Sequence, residues 1–252
     1  ILVHPDVRRM LLDQKATNEG LRALAIYLSM HIDVSRHHPD PEVREKSDDL
    51  VALLTPVIKS YGTARGFENV SAALQVCGGS GYTTDWSIEQ YLRDVRIAMI
   101  YEGTNGIQAL DLVGRKLPMH GGRLMTNFQS EVTEFLRAHK EVDGMAEFVE
   151  PLKAASKELT AVTMELAGKG MKDAEEAGAV AANYLELFAL ATLAFMWNVE
   201  AAHALKTGGR FAETKLKTAR YFFSQVLPKR HALVEIIKSG KKDMMAFDAE
   251  EL

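Results

Sequence analysis

The segment EVREKSDDLVALLTPVIKSYGTARGFENVSAALQV, residues 42–76, decides the fold of this chain. A helix completes one turn in about 3.6 residues, so apolar residues spaced by three or four lie on one face. The apolar positions of the segment follow this spacing: Val43, Leu50, Leu54, Val57, Ile58, Tyr61, Phe67, Val70 and Leu74. The segment therefore predicts a long helix with a buried stripe.

A second long helix is predicted before it, between Pro5 and Asp33. Its apolar residues recur at the same steps: Val7, Met10, Leu11, Leu21, Leu24, Leu28 and Ile32. Pro39 and Pro41 end this helix, because proline lacks the amide hydrogen that a helix interior needs. Two such helices joined by a short turn predict an antiparallel pair about 45 Å long, at about 1.5 Å per residue.

Shorter helices are predicted after this pair. Gly78 and Gly79 end the second long helix. A short helix is expected from about Ser87 to Arg93, and another begins at Thr104. Strand patterns are nearly absent from the chain. The sequence therefore predicts an all-α protein that begins with an up-and-down four-helix bundle.

A domain boundary is predicted at residues 117–122, LPMHGG. Proline and paired glycines interrupt the helix there, and the helical pattern restarts at Leu124. We therefore expect one domain at residues 1–118 and a second helical bundle at residues 123–252.

The second bundle shows no polar constellation that indicates chemistry. Gly208 and Gly209 are expected to end an alanine-rich helix, and the last helix is predicted from Lys215 to Lys238 with a kink at Pro228. Three methionines fall on helical stripes and are expected to fill the core: Met164, Met171 and Met196.

The composition is that of an ordinary globular protein. Of 252 residues, 47% are hydrophobic and 25% are charged, which is enough for a sizeable core. The net charge of −4 is spread along the chain, so neither nucleic acid nor an anionic membrane is an expected partner. The N-terminus resembles neither a signal nor a transit peptide, and a cytoplasmic location is expected.

Cysteine and histidine usage predicts no metal site. The single cysteine, Cys77, excludes an intrachain disulfide and is expected to be a small buried residue. His37 and His38 stand beside Pro39 and are expected to lie in a solvated turn. No histidine pair has the spacing of a metal-binding motif.

Glu102 is the strongest candidate for chemistry. The apolar residues Ile100 and Tyr101 precede it, and removal of water by such neighbours would make a carboxylate a better base. Gly103 allows a ligand to approach the backbone closely, and Thr104 is a natural N-cap for the next helix. The alternative is that Glu102 is a solvated acid that only complements the helix dipole.

Glu102 belongs to a series of three motifs in a fixed order. These are QVCGGSGY at residues 75–82, YLRDVR at residues 91–96 and YEGT at residues 101–104. In this order and spacing the chain resembles the C-terminal helical domain of the acyl-CoA dehydrogenases. The resemblance extends back to His4 and forward past Lys116, and is greatest to long members such as the 3-methylmercaptopropionyl-CoA dehydrogenase group.

The resemblance implies a role for each residue of the third motif. Glu102 corresponds to the general base that removes the α-hydrogen of an acyl-CoA thioester while a hydride leaves the β-carbon for FAD. The backbone amide of the same glutamate would polarise the thioester carbonyl. Tyr101 is expected to line the acyl pocket, and Gly103 to lie against the substrate.

The resemblance also implies a set of FAD-binding residues. Gln75, Gly78 and Gly79 correspond to the turn that contacts the ADP half of an FAD held by the neighbouring subunit. Thr104 corresponds to a threonine that contacts the flavin, and Gly106 stands where the family often has a glutamine. Arg93 and Asp94 correspond to a family pair and are interpreted as a structural salt bridge.

Partners follow from the same resemblance. They are an acyl-CoA substrate, further copies of the chain in a dimer or tetramer, and an electron-transferring flavoprotein. The family's N-terminal helical domain and middle β-domain are not in this sequence, so we expect a C-terminal fragment that folds without turning over substrate. The alternative is a non-catalytic helical module that only assembles subunits; the acyl-chain length stays open.

Overall fold

Two long antiparallel helices, α1 and α2, organise the structure, a computed structural model that describes residues 1–251. No strand occurs in these residues, so the all-α prediction is confirmed. In chain order the α-helices are α1 (Pro5–His37), α2 (Pro41–Cys77), α3 (Gly79–Tyr82), α4 (Ile88–Ile97), α5 (Asn105–Asp111), α6 (Arg123–His139), α7 (Ala146–Gly170), α8 (Ala174–Thr207), α9 (Gly209–Tyr221) and α10 (Arg230–Ser239).

Helix α2 begins and ends where local chemistry predicts. Asp40 caps it, because its side chain accepts a hydrogen bond of 2.9 Å from the amide of Glu42. Pro41 occupies the first turn, where its missing N–H is not needed. Gly78 ends it with φ +62°, a value that favours glycine. The predicted range, residues 42–76, is therefore confirmed within one residue at each end.

Helices α4 and α5 both pack on α2. Helix α4 is shifted towards the C-terminus relative to the prediction, since it runs to Ile97 rather than Arg93. Helix α5 follows Thr104, whose hydroxyl accepts a hydrogen bond of 3.3 Å from the amide of Ile107. The predicted N-cap at Thr104 is therefore confirmed.

Helix α8 is the central helix of the second half. By length and composition it could cross a membrane, but 78% of its most apolar window is buried inside the structure. Its neighbours include α1, α2, α5, α7, α9 and α10. A helix that is apolar on all faces is expected where other helices surround it, so α8 is a core helix.

The two halves of the chain share one hydrophobic core. Trp197 of α8 is fully buried, and its Nε1 donates a hydrogen bond of 3.2 Å to the carbonyl oxygen of Ala16 in α1. Gly20 lies directly beneath it, since a Cβ there would stand 2.9 Å from Trp197 Nε1. Buried residues of both halves thus form one cluster. The division into residues 1–118 and 123–252 stays a prediction.

The last predicted helix is broken in the structure. It begins at Gly209 rather than Lys215 and is interrupted by a π-helical segment, Phe222–Val226, and a 3₁₀ turn, Leu227–Lys229. Pro228 explains the break, because it cannot donate to the carbonyl four residues earlier and its ring crowds that position. The predicted kink is confirmed, and the predicted start is wrong.

Three predictions of burial are wrong. Met164 and Met171 are 72% and 84% exposed, and only Met196 is buried. The first two line an open cleft between α5, α6, α7 and α8, where solvent reaches them. Cys77 is also exposed, because it lies in the last turn of α2 where the chain leaves the bundle.

A shared core predicts that Trp197→Ala destabilises the whole chain. The loss of this buried indole should lower the free energy of unfolding by about 3–5 kcal/mol and leave a single calorimetric transition. The matched control is Trp86→Ala, since Trp86 is the only other tryptophan and is 68% exposed. Two separate transitions, with only one shifted by Trp197→Ala, would contradict a common core.

Candidate functional site

Glu102 lies at the tip of a short closed loop between α4 and α5. The amide of Asn105 donates a hydrogen bond of 3.1 Å to the carbonyl oxygen of Met99, which joins the two ends of the loop. Glu102 has φ +54° and Gly103 has φ +90°. A left-handed conformation is uncommon for a residue with a side chain and costs about 1–2 kcal/mol. Backbone strain is therefore stored at the predicted catalytic residue.

The loop faces solvent in the described structure. Glu102 is exposed, and the neighbouring Ile100 and Tyr101 are 48% and 54% exposed. Residues 1–251 therefore do not shield Glu102 from water in the way the sequence predicts. The physical reason is that, within residues 1–251, the contacts of the loop with α2 through Asn105 and with Gln108 of α5 leave the Glu102 side chain uncovered.

The backbone amides of the loop are free to bind a ligand. Within the described residues, the N–H groups of Glu102, Gly103 and Thr104 donate no hydrogen bond. Gly106 is exposed as well, and a Cβ there would meet only the hydroxyl of Thr104, at 3.8 Å. The loop thus presents a carboxylate and three unpaired donors on one short segment.

Helix α2 holds the end of this loop through Asn105. The side-chain amide of Asn105 donates to the carbonyl oxygen of Ser60 at 3.2 Å, and the Ser60 hydroxyl donates to the carbonyl oxygen of Asn105 at 3.3 Å. The hydroxyl of Thr63 lies 3.0 Å from Asn105 Oδ1. Sequence analysis missed these three residues. The available signal was two hydroxyl residues spaced by three in α2, a spacing that places both on one face.

The glycine turn after α2 forms a second open segment. The amide of Gly78 donates a hydrogen bond of 3.1 Å to the carbonyl oxygen of Gln75, and all three of Gln75, Gly78 and Gly79 are exposed. A Cβ at Gly78 or Gly79 would meet no atom within 4 Å. Gly81 differs, because a Cβ there would stand 2.6 Å from the Cβ of Cys77. The backbone of Gly78 and Gly79 is therefore accessible to a ligand, whereas Gly81 serves packing.

The structure does not bring the two open segments into one site. Thr63, beside the Glu102 loop, and Gln75, beside the glycine turn, are twelve residues apart on the same helix. At about 1.5 Å per residue, this spacing corresponds to about 18 Å along α2. A single chain therefore offers two separate contact regions.

The Arg93–Asp94 pair forms no salt bridge in the described structure. Among the described residues Arg93 and Asp94 form no ion pair, and Asp94 instead accepts a hydrogen bond of 2.7 Å from Gln90. The interpretation of this pair as a salt bridge is wrong, because both side chains point outwards from α4. No cluster of metal-ligating side chains occurs in residues 1–251.

A sizeable cavity lies away from these residues. It is the open cleft described above, with a volume of about 720 Å³, and its walls include Val113, Met125 and Ala177. Gln129 and Thr160 on its wall bond to each other at 2.7 Å. None of the residues predicted for catalysis or cofactor binding lines it.

A set of exposed apolar side chains accompanies the two open segments. We call this set the apolar face; it comprises Tyr82, Trp86, Tyr91, Ile97, Ile100, Tyr101 and Ile107, each between 48% and 79% exposed. These seven fall within residues 82–107 of the sequence, and exposed apolar side chains are typical of a surface that binds another protein segment where they form one contiguous patch.

Two protein families match the chain, one in each half. Residues 1–117 match the family described as "Acyl-CoA dehydrogenase, C-terminal domain". Residues 128–248 match the family described as "Acetyl-CoA dehydrogenase C-terminal like".

Curated relatives match almost the whole chain. The 3-methylmercaptopropionyl-CoA dehydrogenase of Ruegeria pomeroyi is 36% identical over 238 residues, which is 90% of this chain and 40% of that protein. The broad-specificity linear acyl-CoA dehydrogenase FadE5 of Mycobacterium tuberculosis is 30% identical over 97% of this chain and 43% of that protein. The chain thus spans about two fifths of the length of these relatives.

Solved structures share the fold. Caenorhabditis elegans ACDH-11, solved in complex with C11-CoA, superimposes with a TM-score of 0.72 at 16% identity, over 98% of this chain and 41% of that one. A Bacillus anthracis acyl-CoA dehydrogenase complexed with FAD gives a TM-score of 0.68 at 19% identity, over 93% and 41%.

Strain in the loop predicts opposite effects for two neighbouring glycines. Gly103→Ala should lower the free energy of unfolding by about 1–2 kcal/mol, because φ is +90° and the new Cβ meets Gln108 Nε2 at 3.0 Å. Gly106→Ala is the matched control and should raise it by about 0.5 kcal/mol, because Gly106 is helical with open space around it. Urea unfolding measures both. Equal effects of the two substitutions would contradict the loop geometry.

Proposed function

This chain belongs to the acyl-CoA dehydrogenase family, and we propose that it contributes the catalytic base for the α,β-dehydrogenation of an acyl-CoA thioester by FAD. The observation that carries the proposal is Glu102, held in a left-handed conformation at the tip of a closed loop within Tyr-Glu-Gly-Thr. Strained residues of this kind concentrate at functional sites.

The proposed chemistry begins with the thioester carbonyl. An α-hydrogen is only weakly acidic until donors stabilise the negative charge that develops on the carbonyl oxygen. We assign this role to the N–H of Glu102, one of the three unpaired donors of the loop. The carboxylate of Glu102 then accepts the α-proton as general base.

The residues present fit a flavin cofactor. When bound, FAD supplies the acceptor for the hydride that leaves the β-carbon. We assign Thr104 and Gly106, beside Glu102, to the flavin end. The open backbone at Gly78 and Gly79, with Gln75, is assigned to the diphosphate end, since no side chain blocks approach there. Tyr101 and Gly103 would contact the acyl group.

The separation of the two segments supports assembly. With about 18 Å between them along α2, we propose that each copy contacts its own FAD at the Glu102 loop and a neighbour's FAD at the glycine turn. The assembly is then a dimer or tetramer, and the apolar face becomes buried in it. Such burial would exclude water from Glu102. We further propose a cytoplasmic location and an electron-transferring flavoprotein as the electron acceptor.

Glu102→Gln tests the assignment of the base. In the full-length protein, kcat for acyl-CoA oxidation with an artificial electron acceptor should fall at least about 100-fold, because the amide cannot accept the proton. The absorbance between about 350 and 500 nm should be unchanged, since flavin binding is kept. Glu89→Gln, a half-buried glutamate of α4, is the matched control and should keep normal turnover. An active Glu102→Gln variant would show that the base lies elsewhere.

A non-catalytic assembly module is the second candidate. The apolar face favours it, because a module that only assembles subunits would also bury such a surface. It predicts a full-length protein that oligomerises but binds no flavin. The same absorbance scan separates the two functions, because only the dehydrogenase would show the absorbance of bound flavin.

A further inference from the structure

We propose that Thr63 and Ser60 of α2 are positioning residues, which act through Asn105 to hold Glu102 in its reactive conformation. The inference rests on the proposed role of Glu102 as the base. It adds a function for one face of α2 that no motif of the sequence indicates.

Asn105 is held at three points by two residues that lie less than one turn apart on one helix. Its side-chain amide donates to Ser60 O at 3.2 Å, its carbonyl oxygen accepts from Ser60 Oγ at 3.3 Å, and its Oδ1 lies 3.0 Å from Thr63 Oγ. Ser60 is only 7% exposed, and Asn105 is half-buried. A buried hydroxyl destabilises the fold unless it is hydrogen-bonded, and an apolar residue would fill this position without that requirement. The hydrogen bond to Asn105 is therefore the contribution that distinguishes a serine at position 60 from an apolar residue.

Asn105 transmits this constraint to Glu102 through the backbone. It stands three residues after Glu102, and its amide closes the loop onto Met99 at 3.1 Å. Gln108 adds a weaker contact of 3.4 Å to the carbonyl oxygen of Gly103. A left-handed residue persists only where its surroundings hold it. When Asn105 is released, the loop can relax and carry the carboxylate away from the α-carbon.

The contact from Thr63 is one of several open to its hydroxyl. Thr63 Oγ also lies 2.7 Å from the carbonyl oxygen of Lys59 and 3.1 Å from that of Ser60, and it can donate to only one acceptor at a time. Thr55, two turns earlier, donates within its own helix to Val51, at 2.6 Å. Thr55 is therefore a matched control that shares the residue type and the helix but not the loop.

Thr63→Val tests the inference in the full-length, FAD-loaded protein. Valine keeps the shape and removes the hydroxyl, so kcat should fall about tenfold while KM changes less than about twofold, because the base is misplaced while substrate contacts remain. Thr63→Ser restores the hydroxyl and should recover kcat. Thr55→Val should leave both constants unchanged. Asn105→Ala, which removes both side-chain contacts, should lower kcat further than Thr63→Val.

The outcomes separate this inference from the proposed function. Normal kcat in both Thr63→Val and Asn105→Ala, alongside an inactive Glu102→Gln variant, would overturn the positioning role alone. A loss of kcat that Thr63→Ser does not recover, or that appears equally in Thr55→Val, would also overturn it, because that pattern indicates general destabilisation of α2. An active Glu102→Gln variant would instead overturn the function on which the inference rests.

Discussion

The packing of α2 is the constraint on which the rest of the structure depends. Leu50, Leu53, Leu54 and Val57 are all fully buried, and α2 contacts helices from both halves of the chain. Burial of each such side chain stabilises the fold by about 1.5–3 kcal/mol. Both open segments are attached to this helix, the glycine turn at its C-terminus and the Glu102 loop beside its second half. The relative placement of the two segments is therefore as rigid as α2.

Much of the helical architecture could be predicted from the sequence. Long apolar stripes define α1 and α2 because their period matches one helix face over many turns, and Pro41, Gly78 and Thr104 mark ends through chemistry that is local to the chain. The errors arise where the outcome depends on distant residues. Exposure of Met164 and Met171 depends on a cleft formed by four helices, whereas the break beside Pro228 is local and agrees with the predicted kink.

The candidate site divides in the same way. The identity of Glu102 as a candidate could be read from a short motif, because residue types and spacing are local. Its exposure could not, since removal of water is a property of the assembled structure. The contact between Ser60 and Asn105 joins residues that are 45 apart in the sequence, and no periodic pattern reports it. Residue roles that depend on long-range hydrogen bonds can therefore be identified only from the three-dimensional structure.

The long apolar helix α8 has a consequence for biosynthesis. Its sequence emerges from the ribosome after α1, α2, α5, α6 and α7 have been made, and all five contact it directly in the finished protein, α6 through the rings of Phe128 and Phe135. This long apolar stretch can therefore pack on helices that were synthesised before it, which shortens the time that its apolar surface is exposed. The order of elements along the chain thus places most packing partners of its most apolar helix before that helix.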